Sequence, residues 1–467
     1  MNWTHVDPGS PLGGPLLGIP GLVAIWVALT LGFGTLAVLG STRLPADGSR
    51  GVASVRTLAA RRWWTRELPL TVLIAAALTA GGGLLVERVL RPFPDSVPTV
   101  VYVWIGVGLL GVLLGVRAVV VAARARRPGR AVLAGLCVLL VVIGAAGPVN
   151  RVFAEYPTLG LLLGIVDYRT VPLEEVTDRA AETVGGDLAP GRTLESVWAP
   201  PPGMPESGAI VEMPIPGTES GFQARPARVY LPPAFFTEPR PLLPVLVLMA
   251  GQPGGPRDWV LSGRLPVLAE EFTDAHAGLA PVIVVVDPLG SSMSTTLCVD
   301  SPKGNVHTYL SRDVPAWIHS TLQVDTRPGA LAIGGLSFGG TCALQLSLTE
   351  PETYPTFLAL SAQAEPTIGT REQTVETFFG GDPEAFRASN PADLLASRNY
   401  PDIAGAFVVG ADDSEYRSGV RDLHDAAMGA DADVRYAELP GGHSYAVWSE
   451  GLRLELPWLA RRLGLIA

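Results

Sequence analysis

The chain has 467 residues, of which 48% are hydrophobic and 17% are charged, and its formal net charge is −10. Its length allows about three average domains, of which we expect two. The mean hydropathy of +0.32 is too high for an ordinary soluble protein and indicates membrane spans. The negative net charge argues against a nucleic-acid partner, since binding phosphates requires a basic surface.

The apolar excess is concentrated in the first third of the chain. Four stretches there are each roughly 20 residues long, the length that a helix needs to cross a bilayer; they are residues 17–39, 68–86, 100–122 and 131–147. The N-terminus lacks the basic start of a cleaved signal peptide, so we interpret the first stretch as a retained helix. The spans also lack the interior acids and paired charges of an ion path, and residues 1–150 are therefore predicted to be a four-span transmembrane anchor.

Arginines flank the spans unevenly. They are concentrated in the connections after the first and third spans, as Arg43, Arg50, Arg56, Arg61, Arg62, Arg66, Arg124, Arg126, Arg127 and Arg130. By the positive-inside rule both connections face the cytoplasm. We therefore expect a multi-pass cell-membrane protein whose residues after Pro148 are extracytoplasmic. Arg117, towards the cytoplasmic end of its span, is expected to extend its side chain to the interface.

Residues 151–206 are predicted to be an interfacial segment followed by a linker, because a short apolar run, 156–166, precedes a stretch rich in acids, glycine and proline. From residue 207 to residue 467, apolar runs typical of strands alternate with helical patterns. The apolar runs are residues 209–213, 227–230, 245–249, 282–286, 331–333, 357–360, 406–409 and 434–439. The alternation predicts a mostly parallel sheet with helices on both faces and an antiparallel start, whose active site lies at the carboxyl ends of the strands.

The sequence GGLSFGG, residues 334–340, follows one of these runs and precedes a helical pattern. A serine with glycines two residues before and two residues after it is what a nucleophile elbow requires, because the strand-to-helix turn strains the serine backbone and leaves no room for neighbouring side chains. Ser337 is therefore the candidate nucleophile. The alternative is a glycine-rich turn that contains an uninvolved serine.

A serine nucleophile needs a base, and the base needs an acid that orients it. In the α/β-hydrolase arrangement these residues follow in the order serine, acid, histidine. His443 is the candidate base, because it lies in a glycine-rich loop after the last strand, whereas the other histidines precede the first span or lie in helical patterns. Asp413 is the candidate acid, and Asp412 and Glu415 are the alternatives in the same loop.

Two backbone N–H groups are expected to form the oxyanion hole, one directly after the nucleophile and one from an earlier strand-to-helix loop. The first is the N–H of Phe338. The earlier loop is MAGQPGG, residues 249–255, whose glycines let the backbone approach a substrate, and the Gln252 N–H is the candidate donor. The alternative is that these residues form only a tight surface turn.

The chain has three cysteines, too few for a disulfide scaffold and not spaced as zinc ligands. Cys137 lies in the last apolar span. Cys298 and Cys342 would both lie outside the cytoplasm, where oxidising conditions favour a disulfide between them; two buried free thiols are the alternative. The bond would tie the loop 290–305 to the helix that carries the nucleophile. We expect no metal or organic cofactor.

The ordered set GLSFGG, GADD and PGGHSYAVW, with CVDSPKGNVHTYLSRDVPAWI before the nucleophile, resembles the esterase branch of the α/β-hydrolases. That branch contains S-formylglutathione hydrolases and secreted mycolyltransferases, and the chain looks most like actinobacterial membrane-anchored esterases. The resemblance covers residues 207–467 and implies an acyl-serine mechanism in which the nucleophile, base, acid and amide donors are Ser337, His443, Asp413, Gln252 and Phe338. The preceding spans and the AGQPGG loop depart from mycolyltransferases, which argues against mycolyl transfer.

We therefore predict an extracytoplasmic, membrane-anchored serine esterase or acyltransferase, with lipid or cell-envelope esters as candidate substrates. Water or an acceptor hydroxyl would release the acyl group. The rival interpretation is a non-catalytic membrane protein whose hydrolase-like domain binds a partner. The ordered serine, acid and histidine argue against it, since binding requires none of the three.

Overall fold

A computed structural model describes residues 19–41, 61–90, 96–163, 165, 168–189 and 191–467. The chain divides into two compact units, Asp7–Leu162 and a larger unit that contains Leu163–Ala467. Arg43, Arg50 and Arg56, in the connection predicted to face the cytoplasm, lie outside the described residues. Each unit has its own buried core, so the two are described separately.

The smaller unit is a bundle of apolar helices. These are α1 (Ile19–Ser41), α2 (Trp63–Leu90), α3 (Thr99–Arg124), α4 (Pro128–Phe153) and α5 (Leu159–Leu162). Of the helices within the described ranges, α2, α3 and α4 are long and apolar enough to cross a membrane, as three of the predicted spans require. The fourth predicted span, residues 17–39, falls in α1, where the ends of the span lie outside the fully described residues 24–37, so this span stays a prediction.

Glycines allow α3 and α4 to pack closely. A Cβ atom on Gly115 would lie 1.8 Å from Val138 Cγ2, and one on Gly111 would lie 2.3 Å from Val141 Cγ1. Neither position accommodates a side chain without movement of the neighbouring helix. Small residues at helix crossings allow such close approach of two backbones.

Arg117 in α3 has a partner that the sequence analysis did not identify. Its guanidinium pairs with the Glu67 carboxylate of α2 and lies 3.9 Å from the centroid of the Trp63 ring. The sequence places Glu67 just before the predicted span 68–86, but α2 begins at Trp63 and includes the acid. The apolar helices therefore do contain a paired charge, in which each partner lowers the cost of placing the other in apolar surroundings.

The larger unit is built on a central sheet. Its strands, with those of two small two-stranded pairs, are β1 (Thr183–Val184), β2 (Ala209–Met213), β3 (Ala227–Leu231), β4 (Arg240–Pro241), β5 (Val245–Met249), β6 (Val282–Val286), β7 (Asp300–Ser301), β8 (Gly304–Asn305), β9 (Leu331–Leu336), β10 (Thr356–Leu360), β11 (Ala404–Gly410) and β12 (Asp433–Leu439). The central sheet has eight strands in the order β12-β11-β10-β9-β5-β6-β3-β2. β2 pairs antiparallel with β3, and β3 with β6, whereas the other neighbours are parallel. This topology confirms the predicted α/β-hydrolase fold with a mostly parallel sheet and an antiparallel start.

Helices cover this sheet. They are α6 (Leu173–Thr177), α7 (Pro256–Leu261), α8 (Leu265–Ala275), α9 (Val314–Thr321), α10 (Phe338–Thr349), α11 (Arg371–Phe379), α12 (Pro383–Arg387), α13 (Pro391–Ser397), α14 (Arg417–Gly429) and α15 (Tyr445–Arg462). Two groups form over the strands, since α13 contacts both α10 and α14, and α8 contacts α15. The strands β5, β6 and β10 are buried along their whole length, which explains why their sequences are continuous apolar runs.

The segment that precedes the central sheet lies along the larger unit. Its strand β1 pairs in parallel with β4, and Arg169 forms an isolated bridge with Ala209 at the start of β2. Near its end, the Leu194 N–H donates to the carbonyl of Gly464, with an N to O distance of 3.0 Å. The residues predicted as a linker therefore form hydrogen bonds with both the beginning and the end of residues 207–467.

Candidate active site

Ser337 lies between the end of β9 and the start of α10, in the turn that the glycine pattern predicts. Its backbone has φ 53° and ψ −119°, a conformation that is rare for a residue with a side chain. A Cβ atom on Gly335 would lie 2.4 Å from the carbonyl carbon of Gly339, and one on Gly339 would lie 2.5 Å from Met249 O. Glycine at both positions is therefore what allows the sharp turn, as in a nucleophile elbow.

The structure brings Ser337, His443 and Asp413 together in one hydrogen-bonded chain. His443 Nε2 lies 2.9 Å from Ser337 Oγ, and His443 Nδ1 lies 2.8 Å from Asp413 Oδ2. The acid and the serine are buried, with 4% and 5% of their surface exposed. When Nδ1 donates to the carboxylate, Nε2 carries a lone pair and accepts the serine proton.

Adjacent strands place the acid and the base beside each other. Asp413 follows β11 and His443 follows β12, and these two strands are parallel neighbours at the edge of the sheet. Because parallel strands end at the same edge, their following loops meet there. The imidazole is bonded to Asp413, whereas the two alternative acids, Asp412 and Glu415, are exposed.

The two predicted amide donors lie on either side of Ser337. Phe338 is the first residue of α10, and Gln252 lies in the loop after β5. That loop contacts the elbow, since a Cβ atom on Gly251 would lie 3.3 Å from Ser337 Cβ. No acceptor within the described residues receives the N–H of Gln252 or that of Phe338, so both donors are available to a substrate oxygen.

The same loop ends at a buried acid. Asp258 in the first turn of α7 accepts the Gly255 N–H, with an N to Oδ2 distance of 2.7 Å. Burial raises the pKa of the Asp258 carboxyl, an effect that the Gly255 hydrogen bond and the nearby Arg225 and Arg257 oppose. In the part of the chain that the structure describes, no three His, Cys, Asp or Glu side chains are grouped to hold a metal ion.

A sequence comparison identifies the family of the chain. The family model described as "Putative esterase" matches residues 222–459. The chain belongs to this esterase family. An uncharacterised protein of Corynebacterium glutamicum is 36% identical over 448 residues, which cover 92% of this chain and 98% of the relative. The predicted family is confirmed, and membership supports a carboxylic ester hydrolase.

Solved structures of similar fold include two esterases. A ferulic acid esterase is 17% identical with a TM-score of 0.48, over 55% of this chain and 98% of the other. The S-formylglutathione hydrolase from Agrobacterium tumefaciens is 21% identical with a TM-score of 0.46, over 56% of this chain and 97% of the other.

Two aromatic rings that the sequence analysis missed enclose the imidazole of this esterase. The Tyr416 ring stacks on His443 with 4.3 Å between centroids, and the Trp448 ring meets it edge-on at 4.8 Å. The Tyr416 N–H also donates to Asp413 Oδ1 at 3.3 Å, and Trp448 Nε1 donates to Ser361 Oγ at 3.1 Å. Trp448 lies within the PGGHSYAVW motif, which could have indicated that this residue lies near His443. No motif in the sequence indicated the same for Tyr416.

A loop after β6 lies against the Gln252 loop of the esterase. The Gln252 side chain donates to Thr295 Oγ1, and the Gly254 N–H donates to Ser292 O at 3.1 Å. Cys298 at the end of this loop is disulfide-bonded to Cys342 in α10, with a Cα to Cα distance of 5.6 Å. The loop is thus held both by the predicted oxyanion loop and by the helix that follows Ser337.

Proposed function

We propose that this protein is a membrane-anchored serine esterase that works through an acyl-serine intermediate, with its catalytic unit outside the cytoplasm. The observation that carries the proposal is the continuous chain from Ser337 Oγ through His443 to Asp413, with distances of 2.9 and 2.8 Å. The site also combines a strained serine backbone with two amides that have no acceptor among the residues that the structure describes, which is the arrangement that acyl transfer requires.

Each step of ester cleavage has a group in place. Ser337 Oγ attacks the ester carbonyl carbon while His443 Nε2 takes its proton, and Asp413 stabilises the imidazolium. The N–H groups of Gln252 and Phe338 stabilise the oxyanion that forms on the carbonyl oxygen. The intermediate then expels the alcohol, which takes the proton from Nε2 and leaves the acyl group on the serine.

Deacylation repeats these events with a new nucleophile. His443 removes a proton from water, or from an acceptor hydroxyl, as that oxygen attacks the acyl carbon. Collapse of the second tetrahedral intermediate returns the proton to Ser337. Water yields hydrolysis and an acceptor hydroxyl yields acyl transfer, so the products formed in the presence of an added alcohol distinguish the two reactions.

The proposed location rests on the smaller unit and on the cysteines. Three apolar helices of sufficient length precede the catalytic unit, and arginines at 124, 126, 127 and 130 occupy the connection between α3 and α4, where the positive-inside rule favours the cytoplasm. The disulfide between Cys298 and Cys342 is of the kind that persists in oxidising compartments. An anchored esterase in that position would meet lipid or cell-envelope esters.

Covalent labelling tests the catalytic proposal. The full chain in detergent is treated with a fluorophosphonate probe beside Ser337→Ala, and we expect labelling of the native chain alone. If the folded native chain stays unlabelled, the catalytic proposal is refuted and the rival interpretation, a non-catalytic binding domain, is supported.

Reporter fusions test the location. Alkaline phosphatase joined to the C-terminus of the full chain is expected to be active, because it folds outside the cytoplasm, and a fluorescent protein at the same place is expected to stay dark. The reverse pattern would overturn the proposed orientation.

A further inference from the structure

A buried ion pair lies at the carboxyl edge of the central sheet, outside the proposed triad. Asp287 directly follows β6 and is fully buried, with 0% of its side chain exposed. Arg225, just before β3, donates to it from Nη2 at 2.7 Å and from Nε at 2.9 Å, and its backbone N–H donates at 2.7 Å. A buried carboxylate is strongly destabilising unless it is paired in this way, so the guanidinium has one strongly preferred position.

The guanidinium held by Asp287 reaches the predicted oxyanion loop. Arg225 Nη2 also donates to Gly254 O at 2.7 Å. A Cβ atom on Gly255 would lie 2.6 Å from Arg225 Nη1, so the glycine is what lets the guanidinium lie flat against the backbone there. The ion pair thus contacts the loop two residues after Gln252, whose N–H is the proposed oxyanion donor.

The opposite side of the loop is bonded as well. The Gly254 N–H donates to Ser292 O at 3.1 Å, and the Gly255 N–H donates to Asp258 Oδ2 at 2.7 Å. Arg225 supplies the bond to the Gly254 carbonyl, so its loss would leave the peptide between Gly254 and Gly255 bonded to Asp258 but no longer to the guanidinium, and the loop would be held less firmly on that side. Oxyanion stabilisation depends on donors that are already oriented before the charge develops, and it weakens when the loop that carries the Gln252 N–H is held less firmly.

We propose that Arg225, fixed by Asp287, is a positioning residue that orients the Gln252 amide of the oxyanion hole. The inference rests on the proposed function of this site. It assigns to Arg225 a role in transition-state stabilisation with no contact to the substrate.

Asp287 is not the right position for the test, because its carboxylate also accepts the N–H groups of Leu289 and Gly290 at 3.0 and 3.1 Å, and its loss would disturb the fold. Arg225→Gln keeps the polar stem and removes the guanidinium. A matched control is Arg327→Gln. Arg327 forms a similar pair with Asp325, of which 4% is exposed, and Asp325 bonds to Leu243 before the start of β5, at the opposite edge of the sheet.

The experiment measures hydrolysis of p-nitrophenyl butyrate by the full chain in detergent. For Arg225→Gln we expect kcat to fall about tenfold or more, with KM changed less than about threefold, because only transition-state binding is lost. The rate of fluorophosphonate labelling is expected to fall in parallel. Added guanidinium, below denaturing concentrations, should restore part of kcat, since Arg225 is 30% exposed and its site is open to solvent. Arg327→Gln should keep the native kcat and show no response to guanidinium.

The inference would be overturned if Arg225→Gln and Arg327→Gln lost kcat equally. It would also be overturned if Arg225→Gln lowered the thermal midpoint but kept the native kcat. If Arg225→Gln does not fold, Arg225→Lys decides the question: one ammonium cannot bridge Asp287 and Gly254 as a guanidinium does, so a native kcat in that variant also overturns it. Failure of the inference leaves a native chain that is still labelled at Ser337, whereas failure of the proposed function leaves the native chain unlabelled.

Discussion

Replacing Asp413 by asparagine is expected to abolish most activity without changing the shape of the site. The Asp413 carboxylate lies 2.8 Å from His443 Nδ1, and an asparagine there can donate its own N–H to Nδ1. The ring proton then resides on Nε2, which is 2.9 Å from Ser337 Oγ and can no longer accept the serine proton. We expect kcat to fall about 10⁴-fold, which corresponds to about 5 kcal/mol of activation free energy.

The assay is hydrolysis of p-nitrophenyl butyrate by the full chain, with Ser337→Ala as the background. Asp412→Asn and Glu415→Gln are the matched controls, since both acids are exposed in the same loop, and each should keep most of the native kcat. A thermal midpoint of Asp413→Asn near the native value shows that the fold is retained. More than about a tenth of the native kcat in folded Asp413→Asn, or a comparable loss in either control, would refute the assignment of the acid.

Three further changes should have measurable effects. Replacing Cys298 and Cys342 by serine removes a crosslink between positions 44 residues apart, worth about 4 kcal/mol in the chain-entropy model. The temperature of inactivation should therefore drop. Reductant should lower this temperature in the native chain but not in the serine variant. Burial raises the pKa of Glu455, and Arg435 Nε, 3.1 Å away without hydrogen-bond geometry, opposes the shift. The folded state therefore favours the protonated form of Glu455. The contribution of this protonation to the stability of the fold is complete below the ordinary carboxyl pKa and is lost as pH rises through the raised pKa. Glu455→Gln should accordingly raise the thermal midpoint at about pH 8 more than at about pH 4, and a larger gain at the lower pH would contradict this sign. Gly339→Ala would place a Cβ atom 2.5 Å from a backbone carbonyl, so labelling by a fluorophosphonate should be lost, and native labelling of that variant would argue against a tight elbow.

Part of the architecture could be predicted because the environment of a segment constrains its composition. Strands covered on both faces must be apolar throughout, and the runs 245–249 and 282–286 coincide with β5 and β6. Spans could be predicted from length and composition, and α2, α3 and α4 have the length and apolar character that three of the predicted spans require. Glu67 was missed as a partner for Arg117 because a window of hydropathy does not show where a helix begins.

The candidate site could be predicted as far as chain order allows. Ser337, Asp413 and His443 each follow an apolar run, and parallel strands end at one edge of a sheet, so the sequence alone predicted that these residues lie near each other. It favoured Asp413 but left Asp412 and Glu415 as alternatives, since all three acids follow β11 within a few residues. Their catalytic roles stay predictions until the variants are measured.

The sequence by itself thus determined the esterase family, the α/β class and the order of the candidate nucleophile, acid and base, because these depend on local pattern. Only the tertiary structure decided which side chains touch: Asp413 rather than its neighbours on His443, Tyr416 stacked on the same ring, and Arg225 joined to Asp287, 62 residues away. Such contacts depend on loop conformation and on the order of strands in the sheet, and the spacing of residues along the chain determines neither.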